Sequence, residues 1–496
     1  MRGRTRGFLH GTKIEKYTRF SSSSTSNLYD LVVIGSGPSG QKGAINAAKM
    51  GKRVAVVDAP TLLGGVCVHL GTIPSKTFRE AVLHYTGYRS RAFYGGTYKQ
   101  TKISIEDIMD RVQSVASMQA ELIRHQLERN GISIIDGKAK FVDSHKVEVL
   151  DLEGKLIKVL EAKNFLIAVG TRPVRPPQWA QLFNTNFVVD SDQILSYNFK
   201  LPRDMIVIGS GVIGIEYASM MCYLPGTRVT VIDSRKDLLE FVDRDIIGAL
   251  IYSMRRQGAQ FKFNEKVSDI VITNESGRDR VQVQLESGKR VNGDCVLYAV
   301  GRQGNTDTLN LDSIGLKPNS RGLIEVDEHF KSAVQHVSAA GDVIGFPALA
   351  STSMEQGRLA THYMFNKEDV PPPTNKFLPY GIYTIPAISM VGKTEQELTA
   401  QKVPYEIGIA KFEELAKGQM MGAKDGFLKM IFSSQPPHNL LGCSVIGESA
   451  AEIIHIAQAV LVLNGTIEYF RDATFNFPTY AEACRIAALD GINRLK

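Results

Sequence analysis

Short apolar runs set the rhythm of this 496-residue chain. Leu31-Val32-Val33-Ile34 has no polar interruption, the mark of a strand buried on both faces of a parallel sheet. A glycine cluster follows, then an Ala-rich helical stretch over 41–50, then a second apolar run over 53–57 that ends on Asp58. The spacing predicts a helix over 77–85 and a long amphipathic helix opened by Ser104 as N-cap and stopped by Gly131. Short strands are expected over 132–135, 138–142, 146–149 and 156–162, then an apolar strand from Phe165 that closes on Gly170. Residues 173–177 read as a linker.

The pattern then starts again. An apolar strand over 205–208 feeds a second glycine cluster, a helix from Ile215 and a strand over 228–232 that ends on Asp233. A second set of short strands, 260–290, reads as a small antiparallel meander, and the apolar run after it closes on Gly301. This is an internal duplication. A third apolar run, 335–342, ends on Gly341-Asp342, with a helix expected over 348–360. Pro371-Pro372-Pro373 marks another linker. Beyond it, strand-like runs and two helical stretches, 450–464 and 480–493, predict an α+β cap or interface domain. The expected division is a leader (1–27), a first dinucleotide domain in two parts (28–174 and 305–372), a second dinucleotide domain (175–304) and a C-terminal α+β domain (373–496).

The glycine clusters carry chemistry because of what flanks them. Gly35-Ser36-Gly37-Pro38-Ser39-Gly40 joins strand to helix, and Asp58 ends the next strand 18 residues past Gly40. Glycines allow the tight turn and a close backbone approach to a pyrophosphate; the helix N-terminus meets its charge; the acid binds ribose hydroxyls. Gly209-Ser210-Gly211-Val212-Ile213-Gly214 repeats the arrangement, with Asp233 19 residues past Gly214. Two such units imply two nucleotide cofactors. At the second, Asp233-Ser234-Arg235 combines an acid suited to the ribose of NAD with an arginine suited to the 2′-phosphate of NADP.

Charge and composition narrow the class. The net charge of +7 is uneven, because residues 1–29 hold +5 of it, leaving no basic block that would favour nucleic acid. Those first residues are rich in Arg, Ser and Thr and lack an apolar core, which predicts an organellar transit peptide and a mitochondrial matrix location. No apolar run reaches the 18 residues a membrane span needs. Five cysteines in so long a chain do not form a disulfide framework. Cys222, Cys295, Cys443 and Cys484 are expected in the core, and His455 as a structural histidine at an interface.

The segment Gly64-Gly65-Val66-Cys67-Val68-His69-Leu70-Gly71-Thr72-Ile73-Pro74-Ser75-Lys76 resembles the active-site segment of the two-dinucleotide flavoprotein disulfide reductases. The resemblance runs from about Tyr29 to the C-terminus. It implies an α/β fold with two Rossmann-like domains, FAD at the first and NAD(P) at the second, and a C-terminal α+β domain that makes a homodimer or a higher oligomer. By the same resemblance Gly341-Asp342 reaches the flavin. Gly64, Gly65, Gly137, Gly170 and Gly301 join Gly35, Gly37, Gly40, Gly209, Gly211, Ile213, Gly214, Asp58, Asp233 and Arg235 as cofactor-binding positions.

Two departures redirect the chemistry. The disulfide reductases carry a second cysteine five positions after the first, and here Thr72 stands there. Their C-terminal His-Pro-Thr reads Phe477-Pro478-Thr479 here, while Glu482, the partner of that histidine, is present. A dithiol relay needs two sulfurs and a proton shuttle. One branch shares both losses, the soluble Si-specific NAD(P) transhydrogenases. Segments 381–386, 447–455 and 475–482 also resemble that branch. It implies hydride transfer between NADPH and NAD through FAD, with Lys76 at the flavin N5 and paired with Glu216. Cys67 is left as a peroxidatic thiol, a flavin charge-transfer donor or a relic. The rival expectations are an NAD(P)H oxidase or peroxidase working through Cys67, a dihydrolipoamide-type reductase, or a flavin-bound redox sensor with little turnover.

Overall fold

Each duplicated apolar run becomes the central strand of a five-stranded, all-parallel sheet. In the first sheet Leu31–Ile34 lies between Phe165–Ile167 and Val54–Asp58, with Val337–Ala339 and Ser133–Asp136 at the edges. All four residues of that central strand are buried, which is why the run shows no polar alternation. The second sheet repeats the order. Asp204–Ile208 lies between Cys295–Tyr298 and Arg228–Ile232, with Val188–Val189 and Gln260–Lys262 outside them. The computed structural model describes residues 28–94, 104–196, 200–275, 277–366 and 377–495. The leader and the triple-proline linker lie outside the described residues.

Each parallel sheet is accompanied by an antiparallel meander. The first contains Lys138–Asp143, Lys146–Leu150 and Leu156–Ala162, with Leu28–Tyr29 added in parallel at the edge. The second contains Val267–Glu275, Arg278–Leu285 and Arg290–Gly293. Here the expectation needs correction, because the strand beginning at Gln260 belongs to the parallel sheet, three residues being too few to show a period. The expected linker at 173–177 also starts inside a strand. Thr171–Pro173 pairs with Arg302–Gly304 and ties the two halves together.

The two fingerprint helices start earlier than their hydrophobic patterns suggest. The first fingerprint helix is Pro38–Lys49, since proline at the first helical position has no intrahelical N–H to lose. Its counterpart is Val212–Tyr223. The segment before the helix expected over 77–85 folds into helix as well, Gly65–His69 and the start of Thr72–Tyr85, so Lys76 stands inside a helix. The long helix Ile105–Arg129 has the expected start. Ser104 Oγ accepts the Asp107 N–H at 3.1 Å and the Asp107 carboxylate accepts the Ser104 N–H at 2.8 Å. Gly131, at φ +72°, ends it.

The last region is a five-stranded antiparallel sheet. Its order is Tyr380–Ile382, Ile388–Gly392, Leu440–Ile446, Phe427–Ser433, Tyr405–Lys411, and the helices Ala450–Val462 and Glu482–Arg494 share its core. The turn between its first two strands, with the residues flanking it, enters another core. Ile382, Ile385 and Ile388 are fully buried beside Phe78 and Val82 of one dinucleotide half and Ile215 and Met220 of the other. Three regions of the chain therefore meet around the helices Thr72–Tyr85 and Val212–Tyr223. Among the described residues, no helix is long and apolar enough to cross a membrane.

Candidate functional site

The two glycine turns are built alike. Gly35 and Gly209 sit at φ +99° and +98°, and an added Cβ would lie 2.4 Å from the Ala168 oxygen or 2.6 Å from the Ala299 oxygen. A Cβ at Gly40 would lie 2.0 Å from the Gly35 oxygen, and one at Gly214 2.0 Å from the Gly209 oxygen. Those glycines bring helix and strand into contact. At the N-caps Gly37 and Gly211, by contrast, a Cβ would meet nothing within 4 Å. Neither helix has an acid in its first turn or a side-chain cap, so the orphan N–H groups are left to an anion. This cradle fits the pyrophosphate of a dinucleotide at both units, and Ile213 is half-buried in the second.

The strand-end acids reach back to the turns. Asp58 Oδ2 accepts the Ser36 N–H at 2.7 Å and the Ser36 hydroxyl at 2.5 Å, and Oδ1 accepts the Ala59 N–H. Asp233 Oδ2 accepts the Ser210 N–H at 2.6 Å and its hydroxyl at 2.8 Å. Ser36 and Ser210 hold the same place in the repeated Gly-Ser-Gly, the one signal in the sequence that marks them. At the second unit Arg235 adds three bonds to Asp233, from its backbone N–H at 2.8 Å, Nε at 3.0 Å and Nη2 at 2.7 Å. The acids consequently differ. Burial pushes Asp58 up despite its serine bonds. Burial also acts to raise Asp233, but the bonds from Arg235 and Ser210 outweigh it and hold the carboxyl well below the usual range.

Between the units lies an ion pair. Lys76 Nζ stands 2.5 Å from Glu216 Oε2, joining the helix Thr72–Tyr85 to the second fingerprint helix. Glu216 is buried, and its other oxygen accepts the backbone N–H of Tyr383 at 2.7 Å. The glycines before Lys76 let its segment close in. Gly64 and Gly65 take φ +102° and +69°, and a Cβ on Gly65 would come 2.8 Å from Gly37 Cα. Cys67 is half-buried. Burial pushes its thiol up, a bond from Thr72 opposes that, and the charges of Asp342 and Lys76 both act on it. Cys67, Thr72, Lys76 and Asp342 thus share one small region.

Gly341 completes the first cradle. At φ +84°, its Cβ would fall 2.6 Å from Ser39 Oγ, and its N–H donates to Gln356 Oε1 at 2.9 Å. Burial pushes the Asp342 carboxyl up. Gly170 and Gly301 occupy equivalent turns, both at positive φ with open space beyond. Gly137 is accounted for by packing. Its N–H donates to the Asp58 carbonyl at 2.8 Å, and a Cβ would lie 2.4 Å from Val149 Cγ1. Arg302 went unassigned in the sequence, since nothing local marks it. It donates to the Thr171 carbonyl and hydroxyl and to Ser191 and Asp192, and its charge reaches Asp342.

The remaining candidates fall outside this region. Cys222, Cys295, Cys443 and Cys484 are free and buried. His455 is exposed and bonds Gln458 at 2.8 Å. Phe477, in the position of the family histidine, is 71% exposed, and Glu482 Oε2 is buried with no hydrogen-bond partner among the described residues.

The model of the pyridine nucleotide-disulphide oxidoreductase family matches residues 29–357, and that family's dimerisation domain matches residues 378–488. A soluble pyridine nucleotide transhydrogenase of Mycobacterium bovis is 45% identical over 472 residues, covering 94% of this chain and 98% of the relative. One from Photorhabdus laumondii is 43% identical over 470 residues, covering 94% and 99%. Among solved structures, the HOCl-induced flavoprotein disulfide reductase RclA of Escherichia coli matches with a TM-score of 0.81 at 25% identity, covering 93% of this chain and 99% of that one. LpdA of Mycobacterium tuberculosis matches at 0.82 and 27% identity, covering 94% and 99%. The relatives are bacterial, and this overturns the mitochondrial placement along with the transit-peptide reading that carried it. A stretch rich in Arg and Ser, with few acids, is a polar composition that many solvated segments share, so it specified no compartment.

Proposed function

The chain belongs to the pyridine nucleotide-disulphide oxidoreductase family, and from that premise we propose a soluble pyridine nucleotide transhydrogenase. The enzyme moves hydride between NADPH and NAD+, or NADH and NADP+, by a ping-pong scheme in which both nucleotides use one site in turn. FAD, when bound, would supply the two-electron carrier between one nicotinamide and the other. The observation that carries this reading is the Lys76–Glu216 bridge between the two dinucleotide units, set beside a Cys67 whose expected sulfur partner is the hydroxyl residue Thr72.

Residue roles follow from that geometry. Gly35, Gly37 and Gly40, with Asp58, Gly64, Gly65, Gly170, Gly341 and Asp342, hold FAD. Gly209, Gly211, Ile213 and Gly214, with Gly301, hold the exchanging nucleotide. Asp233 serves the ribose of NAD and Arg235 the 2′-phosphate of NADP, so one strand end accepts either. Lys76 places a fixed positive charge where negative charge develops, and Glu216 orients it. The transfer as proposed needs no thiol: Thr72 stands where a second sulfur would complete a dithiol pair with Cys67, and burial pushes the Cys67 thiol up. The chain divides into a first dinucleotide domain (28–174 and 305–372), a second (175–304) and a C-terminal domain (373–496) that pairs two copies.

The test is rapid mixing of NADPH with an NAD analogue of distinct absorbance. The expected result is bleaching of the flavin followed by reduction of the analogue, with parallel lines in double-reciprocal plots. Bleaching without any reduction of the analogue overturns the reading. Oxygen uptake that disappears in Cys67→Ser would favour the oxidase alternative.

A further inference from the structure

We propose that Tyr383, which lies outside both dinucleotide units, is a positioning residue for the hydride site, holding the Lys76 ammonium against Glu216 with its ring face. The inference rests on the role given to Lys76 above. The Lys76 Nζ lies 4.9 Å from the centroid of the Tyr383 ring and 2.5 Å from Glu216 Oε2. The ammonium is therefore held by a carboxylate and an aromatic face together. Each attracts a cation, and the attraction of the ring face grows as the ammonium is desolvated.

The ring is itself held firmly. The Tyr383 N–H donates to Glu216 Oε1 at 2.7 Å, so a single residue contacts both members of the pair. The Ile385 N–H donates to Ser219 Oγ at 3.1 Å, one turn further along the same helix. Arg79 Nε, one turn after Lys76, donates to the Thr384 carbonyl at 3.0 Å. Residues 383–385 are thus stitched to both helices that carry the pair, and Thr384 and Ile385 are fully buried. These are bonds of the backbone, so they place the ring and remain when the ring is removed. Burial and the Glu216 carboxylate push the phenol up, so it presents a neutral ring to the ammonium.

The experiment measures the flavin reduction potential of the FAD-loaded protein for Tyr383→Leu, Tyr383→Phe, Lys76→Met and the Lys76→Met/Tyr383→Leu double variant, with melting temperature alongside. If Tyr383 fixes the ammonium, Tyr383→Leu lowers the reduction equilibrium about fivefold, a shift of about 20 mV for a two-electron couple. Tyr383→Phe keeps the ring face and restores the potential. On the Lys76→Met background, Tyr383→Leu adds no shift. A lower melting temperature with an unmoved potential would make Tyr383 a core residue and overturn the proposal, as would equal shifts on both backgrounds. If Lys76→Met itself leaves the potential unmoved, the assignment of Lys76 fails first, and that result is distinguishable from the others. Should Tyr383→Leu not retain FAD, Tyr383→Met, ringless and of similar volume, takes its place with the same outcomes.

Discussion

The two dinucleotide units share a backbone and differ in what stands at the end of the second strand. Both turns hold their first glycine near φ +98°, both press their third glycine onto the carbonyl of the first, and both send an aspartate back to a serine. At the first unit that aspartate is half-buried, and among the described residues its hydrogen bonds come from Ser36 and Ala59. At the second it is gripped by Arg235, whose side chain is 44% exposed. An acid hydrogen-bonded by neutral donors suits a cofactor that stays. An acid whose partner is a half-exposed arginine suits a nucleotide that comes and goes, since the arginine can turn to a 2′-phosphate and leave the acid to a ribose. One turn geometry can therefore serve a resident and a visitor.

The comparison is broken most severely at the third glycine of each unit. In Gly40→Ala or Gly214→Ala the new methyl group lies 2.0 Å from a backbone oxygen, and strand and helix must separate. Such overpacking costs about 3 kcal/mol, roughly 100-fold in affinity. Gly40→Ala is expected to purify colourless. Gly214→Ala should stay yellow but resist bleaching by either reduced nucleotide. A colourless Gly214→Ala protein would reverse the assignment of the units.

Next in size is the bridge between the units. Lys76→Met is expected to slow both half-reactions roughly 100-fold, the usual loss on removing one preorganised electrostatic group. Nucleotide binding, measured by fluorescence quenching, should change little. A Lys76→Met enzyme with unchanged half-reactions would separate the ion pair from the chemistry.

How much of this was legible beforehand depended on the range of the interaction. The fingerprints, the duplication and the Lys76–Glu216 pairing were legible, the first two because glycine spacing and uninterrupted apolar runs are local signals, and the pairing through family resemblance. Ser36 and Ser210 were within reach, since the same residue recurs at one position of both units. Tyr383 and Arg302 were not. Each acts across more than 100 residues of sequence through bonds that leave no period in the chain. The strand Gln260–Lys262 was misplaced into the meander because its length carries no pattern, and only its parallel pairing with Arg228–Ile232 identifies it. The helices around Cys67 went unassigned because glycines at 64, 65 and 71 interrupt any helical period; of these, Gly65 allows close approach to Gly37 of the first cradle.

A smaller effect sharpens the contrast between the strand ends. Arg235→Gln is expected to raise KM for NADP(H) about tenfold while NAD(H) changes little, the loss of one charged hydrogen-bonded contact. Asp233→Asn should do the reverse. Asp58→Asn should alter neither ratio and instead weaken FAD retention. Steady-state kinetics with each nucleotide separates the three, and equal losses for NADP(H) and NAD(H) in Arg235→Gln would remove Arg235 from cofactor choice.

The smallest effect is a difference of sign with pH, read in flavin-stripped protein. Asp233 is held below its unfolded value of about 4. Its bonds to Arg235 and Ser210 therefore stabilise the second unit above pH 4, and that stabilisation is lost as pH falls towards the folded value. Asp58 is shifted the other way, so its contribution is present in acid and is lost as pH rises through its raised folded value. Acidification from pH 6 to pH 3 should then loosen Arg228–Ile232 relative to Val54–Asp58, measured by amide hydrogen exchange corrected for the intrinsic rate at each pH. Asp233→Asn should abolish the acid-dependent loosening of its strand, and Asp58→Asn should leave that strand unaffected. If the two strands shift protection together, the acids are not what distinguishes the units, and the difference between resident and visitor must be sought in the glycine turns themselves.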